Sequence, residues 1–176
     1  NRTISPARGS YTDNYYMQMA QNIRRYKGVR PIPKNKGYTK IGIDGTFSEW
    51  NNISTVYRDT KGDVIHRDHD GYGGLHYTNT SGRNDIDLSK VAFGKKEIFF
   101  YAKTVENLTP SSDSNWMLLL IDADKNPETG WYGYDFIVNR TIKDSKTSTL
   151  MRYDEKTETW KEVCNIPFSA TGKELE

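Results

Sequence analysis

Asp122, Asp124 and Asn126 stand at i, i+2 and i+4 in the stretch DADKNPETG. That is the spacing at which a loop presents oxygen ligands to calcium, a hard cation that prefers hard donors. The full EF-hand pattern is not met. Pro127 sits where that loop turns on glycine, and Gly133 sits where its bidentate glutamate belongs. The same residues also suit a polar hairpin turn. Asp and Asn side chains accept backbone N–H groups, Pro127 fixes φ, and Gly130 supplies a positive φ. Two readings of one segment therefore stand side by side, a structured turn and a calcium loop with Asp122, Asp124 and Asn126 as its metal ligands.

Trp131, Tyr132 and Tyr134 follow that turn directly. Flat rings at the end of a sheet can stack on the apolar faces of pyranose sugars, and they can equally cover the end of a core. Trp50 and Trp116 are expected in the core, and Trp160 on an exposed hairpin. In HRDHDGYGGLH, the residues His66, His69, His76, Asp68 and Asp70 offer transition-metal ligands on irregular backbone. The plainer reading is a glycine-rich loop that bonds its own backbone. Between the two lies a site for sugar hydroxyls built from Asp68, Asp70 and Arg83. Catalysis has no signature here. The 23 acidic residues make carboxylate pairs unavoidable, and neither a nucleophile elbow nor a phosphate loop is present. Cys164 is the single cysteine, so no internal disulfide forms; its strand-like setting predicts a buried apolar residue.

These residues need elements to hold them. The 176 residues suffice for one ordinary domain with a core. The formal net charge of +2 gives no electrostatic case for nucleic acid or an anionic membrane. No apolar run approaches the ~18 residues of a membrane span. Without an initiator Met or an apolar signal segment, the chain reads as a piece of a longer protein. Residues 13–27 carry a helical stripe of Tyr15, Met19, Ile23 and Tyr26 that ends at Gly28. The stretch GVRPIPKNKGYTK, with two prolines, reads as a linker. From residue 41 the pattern turns to short alternations between turn clusters. Segments 87–93 and 97–105 form a hairpin around GKK, 116–122 a central strand, and 148–153 with 159–164 a second hairpin around DEKTE. Residues 58–84 form the longest irregular segment. The fold class that follows is mainly β, an antiparallel β-sandwich with one N-terminal helix. Residues 1–40 are the helix and linker, and 41–176 the sandwich; TGKELE resembles the opening of another strand, which leaves open a truncation of the sandwich at its C-terminus.

IDGTFSEW at 43–50, VAFGKKEIFFYAKT at 91–104 and MLLLIDAD at 117–124 follow one another. In that order they resemble family 9 carbohydrate-binding modules and the wider DOMON-like sandwiches, over roughly residues 41–140. The segment DNYYMQMAQNIRRYKGVRP resembles the connector after the catalytic barrel in some bacterial glycoside hydrolases. The resemblance implies a secreted, cell-surface or periplasmic bacterial protein with two partners, a glycan and an upstream catalytic domain of the same chain. It also implies calcium, which family 9 modules carry. The expected function is a non-catalytic carbohydrate-binding accessory domain of a polysaccharide-degrading enzyme. The alternative is a structural accessory domain that packs on the catalytic domain and has no ligand of its own.

Overall fold

A computed structural model describes residues 37–62, 64, 67–70, 76–113 and 115–176, together with Met19, Asn22, Ile23, Arg25 and Tyr26. The chain divides into two compact units, Asn1–Pro33 and Lys34–Glu176. In the first, the five described residues are helical; Met19 is half-buried, and Ile23 and Tyr26 are exposed. The rest of the expected helix at 13–27 and the prolines of the linker lie outside the described residues.

The second unit is an antiparallel β-sandwich. Its chain order starts with a 3₁₀ helix, Phe47–Asn52, followed by strands β1 (Val56–Arg58), β2 (Arg67–Asp70) and β3 (His76–Asn79). Next come β4 (Ile86–Phe93), β5 (Ile98–Thr104), β6 (Leu119–Ile121) and β7 (Phe136–Ile142). The series ends with β8 (Thr147–Asp154), β9 (Thr159–Pro167), β10 (Ala170–Thr171) and β11 (Glu174–Leu175). One sheet runs β1-β4-β5-β11-β10, the other β6-β7-β8-β9, and β2-β3 form a separate ribbon.

The β4–β5 hairpin is the one the GKK signal predicts. Gly94 N donates to Glu97 O at 2.8 Å, which sets Ala92 opposite Phe99 and Lys90 opposite Tyr101. The period-2 alternation then puts Phe99 and Tyr101 on the inner face and leaves Ile98 exposed. Ile41, Trp50, Ala92 and Tyr101 make the core of this sheet, with Phe47, Ile53 and Leu88 packed on it. Trp50 stacks on Tyr101 with centroids 5.1 Å apart. Its indole N–H donates to Glu176 Oε2 at 2.8 Å, and Glu176 Oε1 accepts from Gly45 N at 3.0 Å and Asp44 N at 3.2 Å. The IDGTFSEW stretch is thus a structural clasp, with Glu49 Oε2 also accepting from Gly42 N. A second cluster joins the two sheets: Trp116, Phe168 and Leu175, with Ile142 and Met117 against it.

Three expectations need correction. The strand at 116–122 shrinks to Leu119–Ile121. Met117 takes a φ of 44°, which ends extended pairing and lets the Trp116 indole donate to Thr109 O at 2.7 Å. The segment 58–84 is not wholly irregular, because β2 and β3 pair within it, with Asp70 opposite His76. Cys164 is exposed rather than buried. It lies on β9, an edge strand with partners on one side only, and Glu162, Val163 and Asn165 beside it are exposed too.

Candidate functional site

The segment between β6 and β7 is a turn that bonds itself. Asp122 Oδ1 accepts from Lys125 N at 2.6 Å, Asp124 Oδ1 from Asn126 N at 2.8 Å, and Asn126 Oδ1 from Glu128 N at 3.1 Å. Asp124 Oδ2 also accepts the Thr129 hydroxyl at 2.8 Å. These are the Asx contacts expected of Asp and Asn in turns. The segment closes where Asp135 N donates to Ile121 O and Ala123 N donates to Asp135 Oδ2. Asp135 is a residue the spacing argument missed. It is thirteen positions beyond Asp122, on the far side of the turn, where only strand pairing could bring it back. Carboxylate oxygens of Asp122, Asp124 and Asp135 lie within 4.8 Å of one another. Among the described residues this is the one such cluster of three. The donor chemistry, all carboxylate oxygen, fits calcium, which would offset two of the three negative charges and stiffen the turn when bound. Asn126, the third expected ligand, spends its side-chain oxygen on Glu128 N.

The rings come next. Trp131 and Tyr134 exchange backbone hydrogen bonds at 2.8 and 3.0 Å around Tyr132 and Gly133, both at positive φ, 51° and 91°. That is the two-residue hairpin whose twist suits two left-handed residues. It holds Tyr132 at the apex, 65 % exposed. Gly130 ahead of it has to be glycine, since a Cβ there would meet Tyr134 O at 2.3 Å. The Trp131 ring meets Tyr132 edge-on at 5.1 Å and Trp160 at 6.2 Å, and Trp160 in turn meets Tyr153 at 5.2 Å. Four rings therefore run in a chain across the end of the β7-β8-β9 sheet. Trp160 is half-buried among them, less open than expected, and Tyr134 stays exposed.

The β8–β9 turn forms the other wall. Asp154 accepts from Lys156 N and Thr157 N and pairs with Lys161. Lys161 above all holds the Asp154 carboxyl below its ordinary range; desolvation opposes it, and the two N–H groups add smaller lowering effects. Glu155 Oε1 reaches across to Gly130 N at 2.9 Å and ties the two turns together. Between them lies a groove of about 570 Å³. Asp124, Asp135, Arg152, Tyr153, Lys161 and Glu162 are among its walls, and five carboxylates outnumber three cations around it. Asp124 and Asp135 belong to the carboxylate cluster as well.

The other expected ligands stand apart. Asp68 and Asp70 on β2 both grip His76, at 2.6 and 3.0 Å. Asp70 first and Asp68 second raise the His76 pKa above its ordinary 6.5. Arg83 instead pairs through both terminal nitrogens with Asp113. His66 lies outside the described residues. Comparison with known families, with characterised proteins and with solved structures returns no match.

Proposed function

We propose that this chain is a non-catalytic carbohydrate-binding domain that serves a secreted polysaccharide-degrading enzyme. The observation that carries the reading is the chain of rings Tyr132, Trp131, Trp160 and Tyr153, which leads into a polar groove at the end of one sheet. Rings supply flat apolar contact for the C–H faces of a pyranose. Carboxylates, Arg152 and Lys161 supply acceptors and donors for its hydroxyls. The groove's volume lies in the range of ~300–1,000 Å³ typical of small-ligand sites.

Affinity electrophoresis against a panel of polysaccharides, followed by calorimetry, tests the reading. Trp131→Ala should weaken binding by about 1–3 kcal/mol, the usual worth of a stacking ring. Equal retention of wild type and variant on a glycan that binds would remove the platform. Failure to bind any glycan would favour the second reading, a structural accessory domain on a catalytic neighbour. The exposed Ile23 and Tyr26 of the N-terminal unit support that alternative, since an exposed apolar helix side calls for a cover.

A further inference from the structure

A second groove lies at the turn of the β4–β5 hairpin, on the other sheet. Thr39 N donates to Phe93 O at 2.8 Å and lays residues 38–41 beside the end of β4. The turn Gly94–Glu97 faces them, closed by the Gly94 N to Glu97 O bond. A Cβ on Gly94 would lie 3.1 Å from the Phe99 ring, so the bare glycine lets the turn close on that ring. The groove between has a volume of about 690 Å³. Ile41, Phe99 and Tyr38 give it apolar and aromatic walls, and Tyr38 is 72 % exposed. Lys40, Lys95 and Lys96 surround it, and Glu97 is the one carboxylate in its lining.

None of the three ammonium groups has an ion-pair or hydrogen-bond partner among the described residues. Three unpaired cations beside a flat aromatic wall call for a ligand with negative charge and an apolar face. An acidic peptide has the charge without the face, and a neutral sugar has the face without the charge. A uronic acid has both, with a carboxylate on each ring and C–H bonds on the ring face.

We infer that this groove binds a short stretch of anionic polysaccharide, with Tyr38 against a uronic acid ring and Lys40, Lys95 and Lys96 on its carboxylates. The inference rests on the glycan reading only in taking the ligand to be a sugar; its site is separate from the groove beside Asp124 and Tyr153. Trigalacturonate and trimannuronate, titrated into the whole chain and followed by two-dimensional amide NMR, test it. At least one of them should shift the amides of 38–41 and 94–99 and bind at least tenfold more tightly than neutral galactotriose. The double variant Lys95→Glu, Lys96→Glu should lose at least tenfold in affinity at an unchanged melting temperature. Tyr38→Ala should also weaken binding, and the Arg double variant should retain it. Absence of shifts at 38–41 and 94–99 with both uronates overturns the inference. So does equal affinity for galactotriose, or equal affinity for hexaglutamate, which would make the groove a site for acidic peptide. Shifts confined to 129–135 and 153–162 would overturn it while supporting the other groove, and silence at both places would overturn it while leaving the other groove to be decided by the polysaccharide panel.

Discussion

Glu176 and Asp124 both use a carboxylate to hold backbone in place, yet their surroundings are opposite. Glu176 is buried, and its two oxygens take three donors from Asp44, Gly45 and Trp50. Asp124 is exposed, takes one backbone N–H and one hydroxyl, and shares its neighbourhood with Asp122 and Asp135. A buried carboxylate has to be matched with donors, because an unmatched charge there is costly, and once matched it has nothing left to offer a ligand. An exposed one is solvated and keeps lone pairs free. The difference separates a residue that builds the fold from one that can also serve a ligand, although sequence alone shows both simply as acids.

The largest effect should come from breaking the buried side of that contrast. Trp50→Ala removes a ring that is 1 % exposed, together with its stack on Tyr101. It should cost about 3–5 kcal/mol in denaturant unfolding. A loss below 1 kcal/mol would mean that this cluster is not the core of its sheet. The exposed side should respond less. Asp124→Ala removes two hydrogen bonds from the turn and should cost about 1 kcal/mol. Because the turn bonds itself, chelator should leave the melting temperature of the wild type where it is. A fall of several degrees, restored by calcium, would instead assign the carboxylate cluster a bound ion, which at a hundredfold excess over Kd stabilises by about 2.7 kcal/mol.

The smallest effects concern two exposed pairs with opposite signs. Arg83 holds the Asp113 carboxyl below its ordinary 3.8, with help from Asn115 N–H. That contribution is present above pH 3.8 and fades as pH falls through the lowered value. Asp113→Asn should therefore flatten the acid limb of a melting-temperature profile. His76 is raised, so its contribution is present below pH 6.5 and is lost as pH rises through the raised value. His76→Gln should flatten the profile on that side. Unaltered limbs in both variants would mean that these pairs are too well solvated to register.

The sandwich, the hairpin at GKK and the buried Trp50 and Trp116 were legible in the sequence, because alternation and turn residues are local signals. The acidic turn was legible as well, down to the Asx contacts of Asp122 and Asp124. Asp135 and Glu155 were not, since pairing across strands brings them to the site from 13 and 25 residues away. Met117 defeated the strand expectation, for an apolar run gives no warning of a positive φ. Cys164 defeated the burial expectation because an edge strand has the composition of a central one. The lysine groove escaped notice because Lys40 and Lys95 belong to different segments, joined by the Thr39–Phe93 bond.

The clasp at Glu176 also bears on how fast the molecule comes apart. It links residues 132 positions apart, about as distant in sequence as any two in this unit. Bringing such remote residues together carries a large loop-closure entropy, so the contact should form late, after the hairpins. Glu176→Ala should then leave the refolding rate nearly unchanged and raise the unfolding rate, moving one arm of the chevron alone. Slowed refolding would place the clasp in the nucleus.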